Sequence, residues 1–404
     1  MNYLKRKITS CIAFILLLLM LLPEHLVCLA EDDSSKPQLL SESFILMEAS
    51  TGTIIYEKNM HKVLPPASIT KIMTLILIYE ALEEGTITKE TIVTSSSHAA
   101  SMGGSQVYLE EGEQQTVETL MKCICISSAN DACVAMAEHL CGTEEAFVDE
   151  MNKKAKELGM NDTHFVNCCG LDVDGHVSSA YDIALMSKEL IGKHPDIMTY
   201  STTRMDSMTH VTKNGSTEFG LTNTNKLLSS YQGITGLKTG STSKARYCLS
   251  ATATRNDIDM IAVILSAPDT KTRFKEAATL LNYGFSQCKI YTDDHTDLEP
   301  VKVLVERSME QEITLSPTES FRYVSVTRED LSQVEKKIYV FEKITAPVAK
   351  GDELGAIIYS LNGQEIGRVP LVAEEEMKEA VYFDYLKRVF DLLCHKESNV
   401  NSLT

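Results

Sequence analysis

Apolar residues recur along this chain at two different periods. Residues 44–47 and 53–56 are short runs rich in aliphatic and aromatic side chains. Ala49-Ser50-Thr51-Gly52 lies between them, which predicts two strands joined by a turn. From Ser68 the spacing changes: Ile72, Leu75, Ile76, Ile78 and Leu82 follow one another mostly at three and four residues, the period of a helix. Residues 117–140 and 180–191 read as further helical regions, the second with Ile183, Met186, Leu190 and Ile191 on one face. Strand character returns at 247–254 and 260–266, and a helix from residue 270 to about residue 285 comes next. Strands, then many helices, then strands and a closing helix predict an α+β fold. Its antiparallel sheet packs against a helical cluster and is not a doubly wound parallel sheet.

Beyond about residue 291 the pattern alters again. Val301, Val303 and Val305 alternate, Ile338, Val340 and Phe341 form a similar run, and Gly351, Gly355, Gly363 and Gly367 punctuate short apolar stretches. This predicts a small all-β domain. The tail is amphipathic. Asp384, Lys387, Arg388, Asp391 and His395 fall on one helical face, and Tyr382, Phe383, Leu386, Val389, Phe390, Leu392 and Leu393 cover the rest. Such a helix suits a membrane interface. At the other end, Lys5, Arg6 and Lys7 precede an apolar run over 12–22, and Cys28-Leu29-Ala30 offers a cleavage site before Glu31. This is an export signal and not a membrane span. The expected organisation is a signal peptide over 1–30, a first domain over 38–287, a β-rich domain over 291–373 and a membrane-associating helix over 374–395.

Length and composition fit this division. The chain has 404 residues, 44% of them hydrophobic, enough for two cores. Lys and Arg number 38 against 56 Asp and Glu, a net charge of -18, which argues against a nucleic-acid partner. There are 11 cysteines at irregular spacing. No CxxC pair or His-rich tract has metal-ligand spacing, so neither metal nor cofactor is expected, and most of the cysteines read as small buried hydrophobes.

Three short motifs carry candidate chemistry. Ser68-Ile69-Thr70-Lys71 places a hydroxyl and an amine one helical turn apart. Serine needs a base to become a nucleophile, and lysine serves as one where burial and neighbouring positive charge favour its neutral form. Pro65 and Pro66 precede the motif and suit an abrupt loop-to-helix turn. Ser128-Ala129-Asn130 can aim a hydroxyl and an amide into one cleft from a tight turn. Lys238-Thr239-Gly240, ahead of the 247–254 strand, can offer a cation and a hydroxyl to a carboxylate, with the next backbone N–H free for an oxyanion. Taken singly, each also reads as ordinary capping, turn or surface chemistry.

The set in this order resembles the penicillin-binding proteins and serine β-lactamases. More specifically the chain is similar to the low-molecular-mass D-alanyl-D-alanine carboxypeptidases, serine peptidases. It matches them from about residue 43 to residue 285 through Pro66–Lys71, Ser128–Ala132, Asn167 with Gly170-Leu171-Asp172, His176–Asp182, Asn223–Leu228 and Gly236–Gly240. The resemblance implies a transpeptidase-like catalytic domain followed by a small all-β domain. It implies Ser68, Lys71 and Ser128 as catalytic residues: nucleophile, proton acceptor and relay to the leaving amine. Asn130, Lys238, Thr239, Gly240 and Ser241 would bind substrate, with the Ser68 and Ser241 N–H groups as the oxyanion hole. The implied partner is a peptidoglycan stem peptide ending in D-Ala-D-Ala, with β-lactams as inhibitors. The place of work is the outer face of the cytoplasmic membrane. The chain departs from the family pattern at Ala129, usually glycine, and at Cys168-Cys169. Arg273 is a further candidate contact for the substrate carboxylate. Two other readings stand beside this one. A β-lactamase lacks support because no Glu-x-x-x-Asn element stands where a class A enzyme carries its deacylating glutamate, and a non-catalytic wall-binding protein would not need the full residue set.

Overall fold

The structure is a computed structural model and describes residues 36–213, 215–327 and 329–397; the signal peptide expected over 1–30 lies outside them. The chain divides into two compact units, Met1–Leu39 and Leu40–Thr404, and everything that positions the site lies in the second.

The second unit opens with the expected hairpin, β1 (Ser43–Glu48) and β2 (Ile54–Lys58). A 3-10 turn over Ala67–Thr70 leads into α1 (Lys71–Glu83). A small ribbon, β3 (Ile92–Thr94) with β4 (Gln114–Thr116), flanks the short helix α2 (Ser97–Ala100). Then come α3 (Val117–Lys122), α4 (Asn130–Cys141), α5 (Glu144–Glu157), α6 (Ala180–Lys193) and the short α7 (Ile197–Ser201). After them stands a hairpin that the apolar pattern did not signal, β5 (Met205–Thr212) with β6 (Gly215–Thr222). Finally β7 (Ile234–Thr242), β8 (Arg246–Arg255) and β9 (Ile258–Ala267) run into α8 (Thr270–Gln287).

These strands make a five-stranded antiparallel sheet in the order β2-β1-β9-β8-β7, which leaves β7 at an edge. Ile45, Met47, Ile261, Val263 and Leu265 join the core formed with the helices, including Ile72, Met73 and Ile76 of α1 and Met186 and Leu190 of α6. The other face is covered by α8, whose Gly284 lies so close to Leu46 that a Cβ there would come within 3.1 Å of its side chain. Central strands are therefore covered on both faces, which is why β1 and β9 read as unbroken apolar runs.

The expected helical stretch over 117–140 is in fact interrupted. After α3 the helix widens into a π-type turn, Cys123–Ser127. The extra residue in that turn re-aims the chain beyond it. Ser128 adopts the left-handed conformation (φ 62°, ψ 33°), the Ala129 N–H closes the turn onto the Cys123 carbonyl at 3.1 Å, and α4 restarts at Asn130.

The β-rich part has its own core. A six-stranded sheet runs in the order β14 (Glu335–Val340), β16 (Glu353–Leu361), β17 (Gln364–Ala373), β12 (Glu312–Pro317), β11 (Val301–Glu306), β15 (Ile344–Thr345). A two-stranded ribbon, β10 (Lys289–Asp293) with β13 (Phe321–Ser325), completes it. Phe321 and Tyr359 stack at 3.7 Å beside Ile357, Val369 and Leu371. The tail forms a helix over Tyr382–Glu397 with Tyr382 72% and Phe383 76% exposed. Among the described residues no helix is long and apolar enough to cross a membrane.

Candidate active site

The turn Ala67–Thr70 places Ser68 half-buried at the mouth of a cleft between α1, the Ser128 turn and strand β7. Ala67 has φ 49°, an uncommon conformation for a residue with a Cβ, and its carbonyl accepts from the Thr70 hydroxyl at 2.9 Å. Thr70 Oγ1 also meets His176 Nε2 at 2.8 Å. Because Nδ1 of that ring accepts from the Val166 N–H at 3.0 Å, Nε2 is the protonated nitrogen. Burial, and to a lesser extent His164 and Lys71, push His176 down to about 4, so the ring is neutral.

Lys71 begins α1 and is fully buried. Its Nζ lies 3.0 Å from Ser68 Oγ, 2.7 Å from Asn130 Oδ1 and 2.7 Å from the Cys169 carbonyl. The Asn130 amide is oriented by its own donation to the Gly103 carbonyl at 2.7 Å. Two of the three partners of Nζ are thus acceptor-only oxygens. In the uncharged form that a base requires, the amine would give its two N–H bonds to these oxygens and direct its lone pair at the Ser68 hydroxyl.

The far side of the cleft is held by Lys238 on β7. Its Nζ donates to Ser128 Oγ at 2.8 Å and is itself buried. Burial and the Lys71 charge push it down to about 7. Thr239 Oγ1 meets Thr224 Oγ1 at 2.6 Å. Gly240 is required by close approach: a Cβ there would lie 2.9 Å from the Pro66 carbonyl and 3.0 Å from Ser68 N, so only glycine lets β7 lie against the nucleophile turn. Ser241, next along the strand, is exposed.

The eight residues predicted from the three motifs therefore converge on one cleft. Asn225 and Asp172 help to hold β7: Asn225 Nδ2 donates to the Gly236 carbonyl at 3.0 Å, and Asp172 accepts from Thr242 Oγ1 at 2.6 Å. Arg273, expected as a carboxylate contact, is engaged differently. Its Nη1 donates to the carbonyls of Gly240 and Cys248 at 2.9 and 3.1 Å, and the buried side chain braces the β7–β8 pair from α8.

One wall of the site comes from a segment that carried the resemblance without an assigned role. Asn167 Oδ1 gathers the N–H groups of Cys169, Gly170 and Leu171 at 3.2, 2.7 and 3.1 Å, a tight loop that presents the Cys169 carbonyl to Lys71. The Cys168 carbonyl accepts from Thr74 Oγ1 at 2.6 Å. The Cys169 thiol donates to Asn167 Oδ1 at 3.7 Å, and the interaction between the neighbouring thiols raises Cys168 and lowers Cys169. Every cysteine whose pairing the structure describes is free, and six of the eight are buried, in keeping with their reading as small apolar groups.

A serine facing one buried lysine, with a second hydroxyl–lysine pair across the cleft and, among the described residues, no aspartate or glutamate hydrogen-bonded to either amine, defines a class: serine acyl-transfer proteins that work with lysine instead of histidine. Comparison with known proteins narrows it. Residues 30–269 match the family described as D-alanyl-D-alanine carboxypeptidase, and residues 285–379 match the C-terminal domain of penicillin-binding protein 5. The chain is 42% identical to the D-alanyl-D-alanine carboxypeptidase DacF of Bacillus subtilis, over 86% of this chain and 88% of that one. It is 34% identical to DacC of Escherichia coli, over 91% of each. Penicillin binding protein 5 from Haemophilus influenzae superposes with a TM-score of 0.67 at 28% identity, covering 85% of this chain and 99% of the other. The chain belongs to the D-alanyl-D-alanine carboxypeptidase family and has the catalytic-plus-sheet architecture of low-molecular-mass penicillin-binding proteins.

Proposed function

We propose that this protein removes the terminal D-alanine from peptidoglycan stem peptides through an acyl-enzyme on Ser68. The observation that carries the reading is the placement of Lys71 Nζ, 3.0 Å from Ser68 Oγ and held by two acceptor-only oxygens. Ser68 Oγ attacks the carbonyl of the penultimate D-alanine while Lys71 takes its proton. The N–H groups of Ser68 and Ser241 receive the developing oxyanion, a contribution of several kcal/mol in sites of this kind. Ser128 gives its proton to the leaving D-alanine amine and regains one from Lys71, so the Ser68 proton leaves with the product, and the Lys238 ammonium supports the Ser128 oxygen during the relay. Asn130 holds the peptide backbone, and Thr239 with Lys238 holds the terminal carboxylate. Water then releases the acyl group. A β-lactam presents the same carboxylate and a strained amide, so it acylates Ser68 and leaves slowly.

In this reading residues 38–287 carry the chemistry. Residues 291–373 form a spacer domain, and the helix over 374–395 lies on the outer face of the cytoplasmic membrane. The exposed aromatic side chains of Tyr382 and Phe383 favour that placement. The family match and the paired lysines favour carboxypeptidase over β-lactamase or a non-catalytic wall-binding protein. The test is the intact mass of the purified protein after benzylpenicillin, with Ser68→Ala alongside. A slowly lost penicilloyl adduct on wild type only, together with D-alanine release from a pentapeptide, is the expected result. Turnover too fast to trap an adduct returns the β-lactamase reading. A folded wild type that forms no adduct, hydrolyses no benzylpenicillin and releases no D-alanine overturns both.

A further inference from the structure

Behind the Lys71 side of the cleft, two thiols and a carboxylate meet. One ligand atom each from Glu144, Cys168 and Cys169 lie within 4.8 Å of one another. The three come from two places in the chain: Glu144 from the first turn of α5, and the cysteines from the loop that Asn167 winds. Glu144 is fixed there, since its Oε1 accepts from the Cys168 N–H at 3.0 Å. Its other oxygen, Oε2, lies 3.7 Å from His98 Nε2. His98 is half exposed and Glu144 slightly so, whereas both thiols are buried.

We propose that Cys168, Cys169 and Glu144 form a site for one thiophilic divalent cation of the zinc class, which His98, outside this group of three as the chain stands, would turn in to complete. The donor set is the sulfur, nitrogen and oxygen mixture that zinc takes in four-coordinate sites. As thiols the two cysteines are small apolar groups of the core; as metal-bound thiolates they would need a positive partner, which a divalent ion supplies. His98 and Glu144 give the ion a way in from solvent. Glu144 is already oriented by a backbone N–H, and His98 Nδ1 faces Glu138 Oε1 at 3.2 Å, the carboxylate–histidine arrangement that orients an imidazole ligand. A bound ion would fix the loop whose Cys169 carbonyl holds Lys71. That consequence for catalysis rests on the acyl-enzyme reading, whereas the binding itself does not.

The purified full-length protein, treated with chelator, is titrated with Co2+ and followed by absorption spectroscopy. Stoichiometric binding with thiolate-to-cobalt charge-transfer bands is expected, and Zn2+ should displace the cobalt and raise the melting temperature. Cys168→Ser and Cys169→Ser should each weaken the bands, and the double variant should lack them. Circular dichroism and thermal melting report whether these variants fold. If a thiol replacement unfolds the chain, Glu144→Gln and His98→Ala take its place, and each should weaken Co2+ binding by about 10-fold or more. Absence of thiolate bands in wild type overturns the proposal, as does their survival in the double cysteine variant. Unchanged affinity in both Glu144→Gln and His98→Ala overturns it equally. Acylation at Ser68 is measured separately on wild type, so failure of metal binding and failure of the acyl-enzyme reading are told apart.

Discussion

Gly170 is the residue through which the Asn167 loop touches the nucleophile turn. Its φ is +86°, and a Cβ there would come within 1.9 Å of the Ala67 carbonyl oxygen and 2.9 Å of Ser68 N. Ordinary contact begins at 3.4 Å, so Gly170→Ala needs about 1.5 Å of separation between two backbones. No side-chain rotation relieves this, because the neighbouring atoms are main chain. The positive φ adds about 1 kcal/mol for any residue with a Cβ. Either the loop retreats and takes the Cys169 carbonyl away from Lys71, or the turn retreats and takes Ser68 with it. A displacement of that size at a reacting group is expected to slow chemistry by about 100-fold. The assay is stopped-flow acylation by a fluorescent penicillin, with thermal melting measured in parallel. The variant should lose acylation rate by about two orders of magnitude, well beyond what its melting shift explains through unfolded fraction. A rate within about threefold of wild type from a folded variant would show that Ser68 and Lys71 are not held by this contact, and the argument from loop to nucleophile would fail.

Three further outcomes rest on the geometry. Lys238 is needed as an ammonium at about its own folded value of 7, so kcat/KM for a D-Ala-D-Ala substrate should fall as pH rises through that value. Lys238→Arg, permanently charged, should lose that limb of the pH–rate profile even where it retains substrate binding. Asp131 accepts from Val107 N and Leu109 N at 3.0 and 3.1 Å in the core; Asp131→Ala strands these donors and should cost roughly 3–5 kcal/mol in urea unfolding. His176 is held down to about 4 from 6.5, so between those values the unfolded chain takes up a proton that the folded chain refuses. Stability should therefore decline by about 3 kcal/mol as pH falls through that window, and the slope should be smaller in His176→Ala.

The motifs were legible because each packs its chemistry into four residues or fewer, and helix and strand periods place those residues locally. Ser68 and Lys71 needed only a turn of helix between them. The resemblance joined Ser128 to Lys238 and the polar run at 127–131 marks a turn, but nothing in the helical spacing over 117–140 shows the π-type turn that tips Ser128 into the left-handed region. Nor does composition reveal that Arg273, three residues into α8, uses its guanidinium on main-chain carbonyls and so braces the edge strand. A spacing search for metal ligands passed over Glu144 with Cys168 and Cys169 because 24 residues separate the carboxylate from the first thiol. The β5–β6 hairpin is largely exposed and polar, so it gave no apolar signal.

The two buried amines of the cleft are solvated by hydroxyls and carbonyls and not by acids, while the chain as a whole carries a net charge of -18. An anionic ligand thus meets opposing fields: repulsion from the acidic exterior at long range, then a short-range well at the lysines. Ions in solution screen the first more than the second, since the well is enclosed and the exterior is not. Encounter with a carboxylate-bearing β-lactam should therefore quicken at moderate ionic strength, the reverse of the usual behaviour where a cationic groove steers an anion. A cell wall rich in counterions is then a medium in which this catalyst captures its substrate more readily than in dilute buffer.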